Sequence, residues 1–254
     1  MIVFSGPSLA GSAVPLDGFE VRGPVRQGDV YLAALDRPAA IGIIDGYFEG
    51  VPSVWHKEIL WAMLHGIPVL GAASMGALRA AELDRFGMIG IGEIYAAYRD
   101  GALEDDDEVA LVHGPEELGY VGLSVAMVNV RATCKAAVAA GVIGDDKAAG
   151  VIACAKRQFY KTRTWDTVLR DAGTALSQSL GGWIKANEVD QKRLDAEALL
   201  DRMTRGNLPA PPREVPFEYT DLWVRTAETW RRRQRQDPES EGTGYKLLGD
   251  LGPL

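Results

Sequence analysis

The chain has 254 residues, 47% of them hydrophobic and 24% charged, with a formal charge of −8. That length suits one large domain, or one domain with an extension, and the apolar content excludes global disorder. The acidic balance argues against a nucleic-acid binder held mainly by charge, and no apolar run approaches the ~20 residues that span a bilayer.

Met1-Ile2-Val3-Phe4 carries no basic leader, and Cys134 and Cys154 make neither a disulfide framework nor a metal-ligand pair. The expectation is a cytoplasmic protein with no membrane or nucleic-acid partner, no cofactor and no resident metal.

Ile2–Ser5 reads as a short buried strand closed by the turn Gly6-Pro7-Ser8, and Phe19–Arg22 as a second strand. Asp29 has the character of an N-cap for a helix through Leu35. Ile41–Ile44 is a third strand closing on Asp45-Gly46, and Ser53 stands where the next helix would be capped. Val54, Ile59, Trp61, Met63 and Leu64 follow helical spacing there, and Ile67–Leu70 is the following strand. Strand–helix–strand at this spacing predicts parallel strands joined by right-handed crossovers.

The stretch Gly71-Ala72-Ala73-Ser74-Met75-Gly76-Ala77-Leu78-Arg79-Ala80-Ala81-Glu82 then passes from strand to helix. Small residues around Ser74 let the chain turn sharply, as in the Gly-x-Ser-x-Gly elbow, although Ala72 replaces the first glycine. Two readings stand at this point: Ser74 caps a helix, or it is a nucleophile with helix N–H groups near its oxyanion. Asp45 and Ser74 fall at the carboxyl ends of adjacent strands, the edge where open α/β sheets place their sites. Lys57, in Trp55-His56-Lys57-Glu58, begins a helix at the same edge. It is either an activating amine for Ser74 or a solvated helix lysine neutralised by Glu58.

Phe86–Gly92 is a glycine-punctuated apolar loop without dinucleotide-binding context, and Glu93–Arg99 a helix. Glu104-Asp105-Asp106-Asp107-Glu108 leads into an apolar strand, Val109–His113. That acidic run is a solvated loop, a metal site with His113 and His56, or a border that recognises a partner or cation. A helix over 124–142 closes an α/β domain at residues 1–145. Residues 146–254 read as a helical extension, with helices near 147–162, 166–171, 187–205 and 219–235. Pro209, Pro211, Pro212 and Pro216 make a break at 208–216, and the tail after Pro238 reads as mobile. Trp223 and Trp230, seven apart, share one helix face and serve either core packing or docking.

Gly6-Pro7-Ser8, Gly28-Asp29, Ile44-Asp45-Gly46, Trp55–Glu58, Gly71–Glu82, Asp105–Ala110 and Val128-Asn129-Val130-Arg131 stand in consistent order over roughly residues 1–145. Together they resemble the TfuA-like family. The resemblance implies a partner of YcaO-type cyclodehydratases, which activate a peptide amide with ATP so that sulfur replaces its oxygen. It implies a hydrolase that cleaves the thiocarboxylated C-terminus of a ThiS-like carrier, releasing sulfide for thioamidation of a precursor peptide or protein. The family's Ser–Lys pair falls here on Ser74 and Lys57.

With that chemistry, Met75 and Gly76 N–H groups would hold the oxyanion, and Arg79 or His56 would favour the anionic donor. Asp45 would orient Lys57 or His56, and the Asp105–Asp107 loop would line the donor's groove. A non-catalytic adaptor that docks YcaO with its peptide through the tryptophan face is the rival. A metal-assisted hydrolase built on His56, Asp45 and the acidic run is a third reading.

Overall fold

The computed structural model describes residues 1–236, the side chains of 174–179 excepted; the tail after Pro238 lies outside the described residues. Apolar runs bounded by turn residues form short strands: β1 (Ile2–Phe4), β2 (Glu20–Arg22), β3 (Ile41–Ile43), β4 (Val69–Gly71) and β5 (Ile89–Gly90). They make one parallel sheet in the order β2-β1-β3-β4-β5. Chain order reverses between β1 and β3, so the topological switch point lies there.

The described residues form ten α-helices: α1 (Asp29–Leu35), α2 (His56–Leu64), α3 (Met75–Leu83), α4 (Gly92–Arg99), α5 (Met127–Ala139), α6 (Asp145–Arg157), α7 (Trp165–Ala172), α8 (Thr174–Asn187), α9 (Gln191–Thr204) and α10 (Asp221–Gln236). The class is α/β, with helices flanking a parallel sheet and a helical C-terminal region.

Period-2 alternation divides the strand residues between two faces. Ile2, Phe4, Ile41, Ile43 and Val69 pack with α1, α2 and the tryptophans of α10. Val3, Ile44 and Leu70 face the other way, onto Ala196, Leu199, Leu200 and Met203 of α9. Gly42 fits beneath that helix because a Cβ there would lie 2.8 Å from the Met203 sulfur. A separate helical core of α5 to α8 gathers Met127, Val130, Val151, Val168 and Leu180.

Several elements differ from the sequence expectation. Residues 89–90 form β5 instead of loop, and Val109–His113 forms no strand. Val109 and Ala110 are buried among helices, and 109–113 pairs only through an isolated His113–Gly122 bridge. Helix α8 was not anticipated. Ser53 does not cap α2: its hydroxyl donates to the Tyr47 carbonyl, and the N-cap is Trp55, whose N–H is held by Glu58 at 3.0 Å. Gly28 precedes α1 in a left-handed conformation, and Asp29 accepts the Arg26 N–H instead of capping. Trp223 and Trp230 are core residues, both against the ring of Tyr31.

Candidate active site at the carboxyl edge of the sheet

The turn into α3 carries backbone strain. Ala73 has φ +64°, unusual for a residue with a side chain, and it hands the chain to Ser74 at the head of the helix. The Ser74 hydroxyl does not cap α3 and makes no hydrogen bond among the described residues, and the residue is 2% exposed. The turn exists because two glycines interlock. A Cβ on Gly76 would lie 1.8 Å from the Ile43 carbonyl oxygen, and one on Gly71 would lie 2.1 Å from the Gly76 oxygen. Gly76 N–H already donates to the Ile44 carbonyl at 3.2 Å, so of the two expected oxyanion donors Met75 is the one left open.

Lys57 does not meet Ser74. Its amine donates to Thr220 Oγ1 at 3.3 Å and lies 5.1 Å above the Phe217 ring, beside a surface hollow of about 350 Å³ between α2 and α10. Its neighbour Glu58 is fully buried. Glu58 accepts from Gly28, Tyr31 and Trp55 N–H groups, joining the starts of α1 and α2, and burial pushes its carboxyl up to about 8 against those donors. Glu58 therefore holds backbone, not Lys57. His56 and Arg79 converge on Glu82, at 2.7 and 2.8 Å, and Arg79 also donates to the Val54 carbonyl. The structure brings those two together on the outer side of α2 and α3, away from any bond to Ser74.

Asp45 orients neither Lys57 nor His56. Its carboxylate accepts from Gly6 N–H, Ser8 N–H and the Ser8 hydroxyl at 2.9, 2.9 and 2.7 Å. Facing it at 3.8 Å is Lys192, from the first turn of α9, whose amine donates to the Val109 carbonyl at 2.8 Å. Lys192 is 2% exposed, and burial holds it below the usual lysine range although Asp45 pulls the other way. Sequence reasoning missed this residue, yet a signal existed. Lys192, Ala196, Leu199 and Met203 are spaced as one buried helix stripe, and a lysine within such a stripe is out of place.

The acidic run is solvated at its start and tied down at its end: Glu104, Asp105 and Asp106 are exposed, Asp107 is half-buried and Glu108 is buried. Glu108 is bound by Arg131 through two 2.9 Å bonds, and Lys156 joins Asp105, Asp107 and Glu108. Arg163, wholly buried, donates to Asp107 at 2.9 Å and to four carbonyls. Burial alone would raise Glu108; the Arg131 and Lys156 bonds hold it below the ordinary range. Among the described residues, Asp106 is the one of the three proposed loop residues without an ion pair. Among the described residues no three His, Cys, Asp or Glu side chains gather as a metal site, and His56 and His113 are not joined to the acidic run.

The geometry defines a doubly wound α/β protein with a strained serine turn beside its switch point. A family model described as TfuA-like protein matches residues 45–164, from Asp45 through the serine turn and acidic run to Thr164. This segment, a little under half of the chain, is similar to the TfuA-like family, which is associated with YcaO enzymes and with thioamidation. The match begins after β1 and β2 and ends before α9, so Ser8 and Lys192 lie outside it. No curated protein matches the chain. No helix among the described residues is long and apolar enough to cross a membrane.

Proposed function

We propose that this protein releases sulfide from the thiocarboxylated C-terminus of a ThiS-type carrier, for a YcaO enzyme that thioamidates a peptide or protein. The observation that carries the reading is Ser74, an unbonded hydroxyl on a strained turn at the head of α3. In this reaction Ser74 Oγ attacks the thiocarboxylate carbonyl, and the Met75 N–H receives the oxyanion. The C–S bond breaks, hydrosulfide leaves, and water hydrolyses the ester. The burial of Ser74 favours a slender donor such as an extended carboxyl tail. Pairing Ser74 with Lys57 requires that lysine to leave Thr220 and Phe217. The test is sulfide release from a thiocarboxylated carrier. Ser74→Ala abolishes it if the reading is right, and a normal rate in that variant removes it.

A second reading, the non-catalytic adaptor, has its own observation. The loop over 113–123 lays Tyr120 across Gly6 and Gly23 and turns Leu118, Val121 and Leu123 outward beside Glu116 and Glu117. Exposed apolar side chains so grouped suit a partner protein. Wild-type thioamidation by the Ser74→Ala protein, with loss of YcaO binding in Leu118→Asp/Leu123→Asp, would favour the adaptor.

A further inference from the structure

The carboxyl edge at the switch point carries Ser5, Gly6 and Ser8 after β1 and Asp45 after β3. It adjoins the serine turn. Gly76 N–H bonds the carbonyl before Asp45, and a Cβ on Gly46, just after it, would lie 2.8 Å from Met75. The chain on both sides of Asp45 is thus locked to the two residues that follow Ser74. Lys192 reaches Asp45 from α9. Ala196, one turn further along that helix, packs in the same cluster as Ala73, the residue before Ser74. Val109, whose carbonyl accepts a hydrogen bond from the Lys192 amine, packs in the same cluster as Ala77 of α3. The helix that carries Lys192 and the residue that accepts its hydrogen bond thus each share a packing cluster with a residue near Ser74 in the chain.

Two features set this lysine apart from a structural ion pair. The Asp45 carboxylate already accepts three short bonds, and Lys192 stands 3.8 Å off, beyond hydrogen-bond reach. A buried pair of that geometry recovers little of its desolvation cost, and an apolar side chain would tie α9 to the sheet at least as well. Second, Ser5 Oγ, just past the carboxyl end of β1, is buried with no hydrogen-bond partner among the described residues. Alternation with Val3 puts Ser5 on the α9 side of the sheet. A buried hydroxyl left without a partner at this edge of the sheet is a group that a polar guest could satisfy.

We propose that Lys192 is the base that serves Ser74 and that Asp45 positions it, an inference that rests on the sulfide-releasing reading above. As the free amine, Lys192 takes the Ser74 hydroxyl proton while Oγ bonds to the thiocarboxylate carbon. The C–S bond then breaks, and the ammonium returns that proton to sulfur, which leaves as hydrosulfide. Water attacks the ester, its proton passes through the same amine to Ser74 Oγ, and the carrier leaves as the carboxylic acid. Burial, which holds Lys192 below the usual lysine range, favours the amine this step needs. Lys192 lies outside the matched family segment, so the helical C-terminal region completes the site.

The experiment uses the full chain and a fluorophosphonate probe, which tests the hydroxyl without a carrier. Intact mass and peptide mapping read the rate of labelling at Ser74. Lys192→Met is expected to label at least ~100-fold more slowly than wild type, the scale of one general base. Asp45→Asn/Lys192→Met, which leaves no buried charge unpaired, keeps the fold measurable by melting. In wild type the labelling rate climbs with pH through a midpoint below 10.5, and the double variant loses that step, a change that a packing role would not produce. Labelling of Lys192→Met, or of the folded double variant, within threefold of wild type overturns the proposal, as does a wild-type rate with no such pH step. Failure of the sulfide-releasing reading looks different: Ser74 labels through Lys192, and the wild type releases no sulfide from the carrier.

Discussion

Replacing Gly76 by alanine tests the serine turn most directly. The added Cβ would stand 1.8 Å from the Ile43 carbonyl oxygen and 2.6 Å from its carbon, both backbone atoms of a central strand. To regain ordinary contact, α3 must retreat by roughly 1.5 Å. That retreat stretches the 3.2 Å bond from Gly76 N–H to Ile44 beyond hydrogen-bond range. Overpacking of a tight core costs about 1–3 kcal/mol, and a buried backbone pair left unsatisfied about 1–3 kcal/mol more. The expected loss is therefore about 2–6 kcal/mol in urea unfolding followed by far-ultraviolet circular dichroism. Ser74 moves with the helix, and a 1 Å misplacement of a reacting group costs ~100-fold in rate. Sulfide release should fall by at least that factor at temperatures where the variant remains folded. A variant within ~0.5 kcal/mol of wild type, the ordinary range for a harmless substitution, would refute the interlocked-glycine account.

Glu58 makes stability depend on pH. Folded, its carboxyl keeps the proton to about 8; unfolded, it gives the proton up near 4.5. Between those values the unfolded state binds fewer protons, so this group's contribution to stability falls as pH rises and levels off above about 8. Urea midpoints from pH 5 to 8 should show that fall in wild type and a flatter profile in Glu58→Gln; equal slopes would count against it. Trp230→Ala removes a ring packed on Tyr31, Trp55 and Trp223 and should cost ~3–5 kcal/mol. A loss under ~1 kcal/mol on thermal melting would mean that α10 contributes little to the core. Asp107→Asn leaves Arg163 buried without its carboxylate and should cost ~3 kcal/mol by the same measurement. An unchanged melting temperature would show that the four carbonyls around Arg163 suffice.

Local chemistry determined much of this protein. Runs such as Ile2-Val3-Phe4 and Ile41-Gly42-Ile43 are apolar, short and closed by turn residues, which is enough to make buried strands. Gly71 and Gly76 bracket Ser74 because only glycine tolerates the approach of α3 to the sheet, so the turn was legible from composition and spacing. Tertiary structure decided what depends on residues far apart in the chain. Strand β5 is two residues long and carries Gly90, where a Cβ would lie 2.2 Å from the Tyr95 ring; no periodicity marks so short a piece. The acids at 105, 107 and 108 find their cations at 131, 156 and 163, and no local pattern pairs them. The second face of the sheet waits for α9, more than a hundred residues beyond β4. That helix brings Lys192 to Asp45, because covering the apolar face with Leu199 and Met203 carries the start of the helix over the carboxyl edge. Short-range sterics and hydrophobicity placed Ser74 on its turn; the long-range burial of α9 chose the lysine that faces Asp45.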